Sequence, residues 1–334
     1  MMTAENSCAT LITVASFPQQ YFLENLAVRA DGSILVTVLD RKQLWYVPAP
    51  GPDLPVDPVL VHTFDNHAMG IVETEPDIFY VCAFGRAAVD RFDLRGWSPG
   101  APAQPVRVLT FEQPGALLNG CCLIAPDVML IADSVAGLIW RVDLADDGLS
   151  AAERVWLPHD SMAFIPDHPL NPIPGVNGVR YAARTHFLYY TSTAQQLFAR
   201  VAVDPVTHEP AGEPEIVAQG MWGDDFCIDE NTGVAYLTTH RANTIDRVPL
   251  QPGGTPVIVA GEPFNEHLVG PSSAVWGRGP TDYGRLAYVT TDGGTRTPPD
   301  GKLRPAQVLR VEFSTEYPLL PRGTPAPAGD DPAR

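Results

Sequence analysis

Apolar residues in this chain come in short runs closed by turn residues. The runs return in groups at intervals of about fifty residues, the periodicity of stacked β-sheet repeats. One group reads Leu26-Ala27-Val28-Arg29, a turn at Asp31-Gly32, Ile34–Val38, then Gln43–Val47 and Val59-Leu60-Val61. A second runs through Gly70-Ile71-Val72, Ile78–Cys82, Ala88–Phe92 and Val106–Leu109, and a third through Cys122–Ile124, Val128–Ala132 and Gly137–Val142. Phe187–Tyr190 with Gln196–Val201, and Val234–Leu237 with Thr244–Val248, continue the pattern, and a looser sixth group holds Leu286–Thr290 and Gln307–Phe313. The second strand of a group is nearly all apolar, as expected of a strand covered on both faces. Six groups predict an all-β fold, a six-bladed β-propeller with four-stranded antiparallel blades. Leu11–Ala15 stands alone before the first group, which predicts an N-terminal strand that closes the last blade so that no sheet edge is left unpaired.

The repeats predict a single propeller domain over residues 10–315, flanked by an N-terminal extension (1–9) and a Pro-rich tail (316–334). One irregular insertion, Leu157 to Gly175, interrupts the period and carries His159, Met162, Phe164 and His168. It reads either as a cover over one mouth of the propeller or as a loop packed on its side.

Each group opens on polar residues: Glu24-Asn25, His67, Asn119-Gly120, Asn177-Gly178, Asp224-Asp225 and Ser272-Ser273. The first strands of a propeller line its central channel, so these positions are expected to face one another at one mouth. Turn formation accounts for Asn-Gly pairs taken singly, but not for Glu24 or for all six positions in phase. Glu24, Asn119, Asn177 and Asp225 offer the hard oxygen ligands suited to one divalent cation, Ca2+ or Mg2+. His67 reads as a further ligand or as a hydrogen-bonding side chain. Asn119, Asn177, Asp225 and His67 are the catalytic candidates. Tyr21, Phe22, Met69, Phe84, Trp156, Phe164, Trp222 and Trp276, with Ser272, are candidates for a substrate-binding wall, interblade packing being the alternative for each aromatic.

Charge and motifs narrow the classes. A net charge of −17 over 334 residues, with no run of Lys and Arg, argues against a nucleic-acid partner. No stretch approaches the length of a membrane span. The five cysteines form no C-x-x-C pair and Met1–Ala9 carries Glu5 and no apolar block, which together predict a reduced, cytoplasmic protein. No G-x-S-x-G, H-E-x-x-H, phosphate loop or G-x-G-x-x-G is found, so no organic cofactor is expected.

Glu24, Asn119-Gly120, Asn177-Gly178 and Gly223–Asp229 resemble the metal-bearing stations of the SMP-30/gluconolactonase/luciferin-regenerating family. That resemblance, over roughly Leu11 to Phe313, implies a six-bladed propeller with one divalent cation in its channel and lactone hydrolysis. The chain departs from it at Phe22–Arg29, and at Ala116-Leu117-Leu118, where the sugar-binding arginine segment has no counterpart. The Phe22–Arg29 run and the apolar mouth resemble instead a fungal biosynthetic branch that includes hetero-Diels–Alderases. This second resemblance implies closure of a dihydropyran ring between a quinone-methide-like heterodiene and a terpene alkene, with apolar small molecules as substrates. A non-catalytic ligand-binding propeller is the further alternative.

Overall fold

The computed structural model describes residues 9–261 and 268–314. The first strand, β1 (Ala9–Phe17), leads into blade one: β2 (Leu23–Val28), β3 (Ile34–Val38), β4 (Gln43–Val47) and β5 (Val59–Thr63). Blade two holds β6 (His67–Glu75), β7 (Ile78–Phe84), β8 (Ala88–Asp93) and β9 (Val106–Thr110); blade three holds β10 (Leu118–Ala125), β11 (Val128–Asp133), β12 (Leu138–Leu144) and β13 (Ala151–Pro158). Blade four comprises β14 (Val176–Ala182), β15 (Phe187–Ser192), β16 (Leu197–Ala202) and β17 (Glu215–Gln219), and blade five β18 (Phe226–Asp229), β19 (Val234–Thr239), β20 (Thr244–Pro249) and β21 (Val257–Ala260). Blade six has β22 (Pro271–Trp276), β23 (Leu286–Thr291) and β24 (Ala306–Phe313) from the C-terminal side, and β1 as its outermost strand. All neighbours pair antiparallel, and β1 lies along β24 from Ala9↔Phe313 to Phe17↔Ala306. The expected closure by the N-terminal strand is therefore what joins the two ends of the ring.

Apolar packing explains why the second strands carry no alternation. Buried side chains form six clusters, and each draws on two adjacent blades; Val36 and Leu23 of blade one meet Val308 and Tyr288 of blade six, while Leu35 and Leu44 meet Phe79 and Val81 of blade two. The two faces of β3 thus bury into different neighbours, and all five of its residues are buried. At about 1.5–3 kcal/mol for each large side chain fully removed from water, these faces are the main stabilising term. Hairpins form where the sequence placed them: Gly32 takes φ +83, and Asp31 Oδ1 accepts the Ser33 N–H at 2.9 Å.

The insertion differs from expectation at its start. Residues up to Pro158 belong to the outer strand of blade three, with Leu157 opposite Ile139, because Trp156 is buried between blades three and four and holds that edge in the sheet. The irregular part then contains a single 3-10 turn, Asp160–Met162, capped by His159. Residues 1–8 with Cys8, and the Pro-rich tail at 316–334, lie outside the described residues. Among the described residues no helix is long and apolar enough to cross a membrane.

Candidate functional site

The inner strands are not regular at their start. In β2, β6, β10, β14 and β22 the register slips by one residue, leaving two residues opposite one on the second strand. The pairs are Glu24-Asn25 opposite Thr37, Met69-Gly70 opposite Cys82, Asn119-Gly120 opposite Ala132, Asn177-Gly178 opposite Thr191, and Ser272-Ser273 opposite Thr290. Blade five does the same just before β18, where Thr238 donates N–H to Asp225 O at 2.9 Å and accepts from Asp224 N–H at 2.8 Å. A bulge of this kind re-aims a side chain out of the pleat. The result is two stacked rings: Glu24, Met69, Asn119, Asn177, Asp224 and Ser272 in the first, and Asn25, Gly70, Gly120, Gly178, Asp225 and Ser273 in the second.

Hydroxyls tie each bulge to the next blade. Thr37 Oγ1 donates to Met69 O (2.7 Å), Thr191 Oγ1 to Asp224 O (2.5 Å), and Thr238 Oγ1 to Ser272 O (2.9 Å). Glycine in the second ring is required by close approach: a Cβ on Gly120 would stand 2.8 Å from Asn177 O, and one on Gly178 2.5 Å from Asp225 Oδ1. The Asn-Gly pairs therefore serve nesting of bulge on bulge, a reason that turn chemistry alone did not supply.

The rings have different chemistry. In the second, Asp225 Oδ2 accepts from Arg180 (2.6 Å), Asn25 Nδ2 (3.0 Å) and Ser273 Oγ (2.9 Å), while Oδ1 accepts the Phe226 N–H at 2.8 Å. Its lone pairs are committed to an ion pair with the neighbouring blade and to donors from blades one and six. Beyond it, at the far end, Arg278 pairs with Glu73 of β6. In the first ring, the Glu24 carboxylate is buried yet receives no hydrogen bond among the described residues. Asn119 Nδ2 donates to Ser134 Oγ (3.0 Å), and Asn177 Nδ2 donates to Thr193 Oγ1 (3.0 Å) and Asp224 Oδ1 (2.8 Å), while neither amide oxygen receives a donor among the described residues. Burial, with the Asp225 and Asp292 charges adding to it, pushes Glu24 up to about 8. Burial and the Glu24 charge likewise hold Asp224 well above the ordinary carboxylate range.

The structure thus places Glu24, Asn119 and Asn177 in one ring as the sequence suggested. It puts Asp224 in phase with them, and Asp225 one layer away. In blade two the ring position is Met69; His67 precedes the bulge, stacks on Phe84 at 4.8 Å and has Nδ1 3.0 Å from Leu39 O. Ser272 lies in the first ring, but its Oγ is spent on Leu23 O and Thr290 Oγ1. Of the proposed wall, Phe22 and Met69 stand at the mouth with the His67–Phe84 stack. Trp222 meets His168 of the insertion edge-on at 5.8 Å. Phe164 borders a separate surface cavity of about 380 Å³ with Val135, Pro158 and His159. Tyr21 packs on Phe17 and Trp45 at the blade six to blade one seam, Trp156 sits on an outer strand, and Trp276 is wedged against Tyr236 and Phe313 at the other end of β22. For these three, packing between blades is what the side chain does.

Loops bring in residues that the repeat pattern did not single out. His240 stacks on Phe22 at 5.2 Å and has Nε2 3.1 Å from Asp292 Oδ2. Arg241 donates to Leu170 O (3.1 Å) and Thr297 Oγ1 (3.3 Å), so the insertion reaches from blade three to the loops of blades five and six at the ring's own end. Arg180, the one charged residue of β14, was not singled out from the sequence either.

The first ring fits a hard divalent cation in its donor chemistry: Glu24, Asp224 and the Asn119 and Asn177 oxygens are all oxygen ligands. Among the described residues no three His, Cys, Asp or Glu side chains gather into a metal site by themselves, so the amides would be essential to it.

No protein-family model matches the chain. A protein of Phoma sp. provisionally named a hetero-Diels-Alderase is 25% identical over 321 residues, covering 86% of this chain and 87% of its own. Among solved structures, a luciferin-regenerating enzyme superposes with a TM-score of 0.63 at 14% identity, over 91% of this chain and 95% of that one. The calcium-binding protein regucalcin of Agrobacterium tumefaciens superposes at 0.61, also at 14% identity, over 93% and 98%. At these identities the structural likeness establishes the propeller fold and leaves the chemistry to the site itself.

Proposed function

We propose that this chain is an enzyme of small-molecule metabolism that closes a ring between a conjugated carbonyl heterodiene and an alkene, a hetero-Diels–Alder reaction, in the mouth above the first ring. The observation that carries the reading is the similarity to the Phoma protein, which runs nearly end to end over 321 residues. Geometry supports it. Below the ring, Asp225 of blade five draws together Arg180 of blade four, Asn25 of blade one and Ser273 of blade six, so a ligand would reach the first ring from the insertion side. Such a cycloaddition needs no base. It needs both partners held in one orientation, and that removes entropy from the barrier. Phe22, Met69 and Phe84 offer apolar surface for this. A hydrogen-bond donor at the heterodiene oxygen stabilises charge that builds there in the transition state, and Glu24, protonated at pH 7 when its carboxyl stands near 8, is such a donor. With a divalent cation held by Glu24, Asp224, Asn119 and Asn177, Glu24 would be ionised and the cation would take over that role by Lewis-acid polarisation of the same oxygen.

The test is to supply a reactive heterodiene and an alkene with and without the protein. One dominant stereoisomer, lost in Asn119→Ala and Met69→Ala, is the expected result. A product mixture unchanged by the protein would overturn the proposal. One observation favours a second reading, a metal-dependent lactone hydrolase: the four first-ring oxygen donors in phase. Turnover of a simple lactone panel with Ca2+ or Mg2+, abolished by chelation, would decide for it.

A further inference from the structure

In a chain with 22 basic against 39 acidic residues, an arginine withdrawn from water is expected to find a carboxylate, and Arg29, Arg180 and Arg200 do. Two arginines at the open mouth do not. Arg241 spends its guanidinium on the neutral oxygens of Leu170, Pro172 and Thr297, and Arg296, exposed on the loop after β23, has no hydrogen-bond partner for its guanidinium among the described residues. They are neighbours, because Arg241 bonds Thr297, the residue after Arg296. Burial and the Arg296 charge together push Arg241 below its ordinary value, against the opposing pull of the Asp224 and Asp292 carboxylates. The Arg296 guanidinium stands 6.0 Å from the centre of the Phe22 ring, which is stacked in turn on His240. Asp292, on the same loop, accepts from the Gly294 N–H (2.7 Å) and the Arg296 backbone N–H (3.3 Å), with His240 Nε2 3.1 Å away.

We infer that Arg241 and Arg296 form an anion-recognition pair that seats the ionised oxygen of a planar, conjugated ligand against Phe22. The inference rests on reading the mouth as the substrate site, and it adds the ligand's chemical class: a conjugated ring bearing a carboxylate, enolate or phenolate. A guanidinium suits this task because it is always charged, hydrogen-bonds in a plane and stacks on aromatic faces. The chain's overall negative charge repels anions elsewhere, so the pair is a local exception that selects where such a ligand lands.

Benzoate and its neutral isostere benzamide are the probes, titrated calorimetrically into the full chain at low salt with EDTA present, which keeps any cation at the first ring out of the readout. Benzoate is expected to bind at least about tenfold more tightly than benzamide, the scale of a charged hydrogen bond. Arg296→Ala should erase that preference, bringing benzoate down to the affinity of benzamide while the thermal melt stays unchanged, and Arg296→Lys should keep part of it. Equal affinities for the two probes, or an undiminished benzoate preference in both variants, would overturn the inference. Its failure is separable from failure of the cycloaddition reading. Arg296-dependent benzoate binding without stereocontrol would sink only the reaction, and stereocontrol with no charge preference would sink only the anion pair.

Discussion

The Arg180–Asp225 pair is the feature whose removal should be felt most widely. Asp225→Asn changes a single atom, yet neither amide orientation fits. With its nitrogen at the Oδ2 position the amide faces three donors, from Arg180, Asn25 and Ser273, and with its nitrogen at Oδ1 it faces the Phe226 N–H. In the first orientation the Arg180 charge, 19% exposed, keeps only the carbonyls of Val179 (2.9 Å) and Cys121 (3.4 Å), and in the second it keeps a neutral amide oxygen in place of a carboxylate. Breaking a buried pair from one side costs about 3–5 kcal/mol. For a chain of 334 residues, an unfolding entropy of about 0.7 kcal/mol per degree turns this into a fall of about 4–7 °C in Tm. Denaturant melts of Asp225→Asn, Arg180→Met and the double variant form the cycle, and the double variant should be at least about 1.5 kcal/mol more stable than the sum of the two losses allows. A single-variant loss below about 1 kcal/mol, or strictly additive losses, would refute the assignment of Asp225 to the framework. Asp224→Asn is the control: a carboxyl already held far above its ordinary range loses little on becoming neutral, so stability should hold while first-ring chemistry suffers.

Glu24 gives a pH signature. Its folded pKa of about 8 stands above its ordinary 4.5, so the folded chain keeps a proton that the unfolded chain releases. Stability should therefore fall as pH rises between those values, by on the order of 3 kcal/mol at pH 7, and the difference between wild type and Glu24→Gln in EDTA melts should show it. Equal pH slopes for the two proteins would contradict the burial argument. Gly178→Ala, whose Cβ would meet Asp225 Oδ1 at 2.5 Å and Asp224 O at 2.8 Å, should cost about 2–3 kcal/mol by thermal melt and disturb both rings. Trp276→Phe removes the indole bond to Ile228 O (2.7 Å), so it should lower Tm while leaving product stereochemistry unchanged; altered selectivity would return Trp276 to the substrate wall.

Much of this molecule is written in the order of its residues. The six groups, the apolar second strands and the lone Leu11–Ala15 strand are local patterns, and repetition makes them redundant: no single misread strand would have changed the fold. In-phase polar positions were legible for the same reason. What the sequence left open is which of two adjacent polar residues faces the mouth. That depends on bulge register, and a shift of one residue moves a side chain to the other layer. Asp224 and Asp225 therefore look alike as text, although one joins Glu24 and the other anchors Arg180, and Met69 rather than His67 completes the first ring. The tryptophans were ambiguous because packing between blades and lining a pocket select the same residue type. Phe22, His240, Asp292 and Arg296 meet only because ring closure carries the loop before β2 back to the loops of blades five and six, and separations of more than two hundred residues leave no periodic trace.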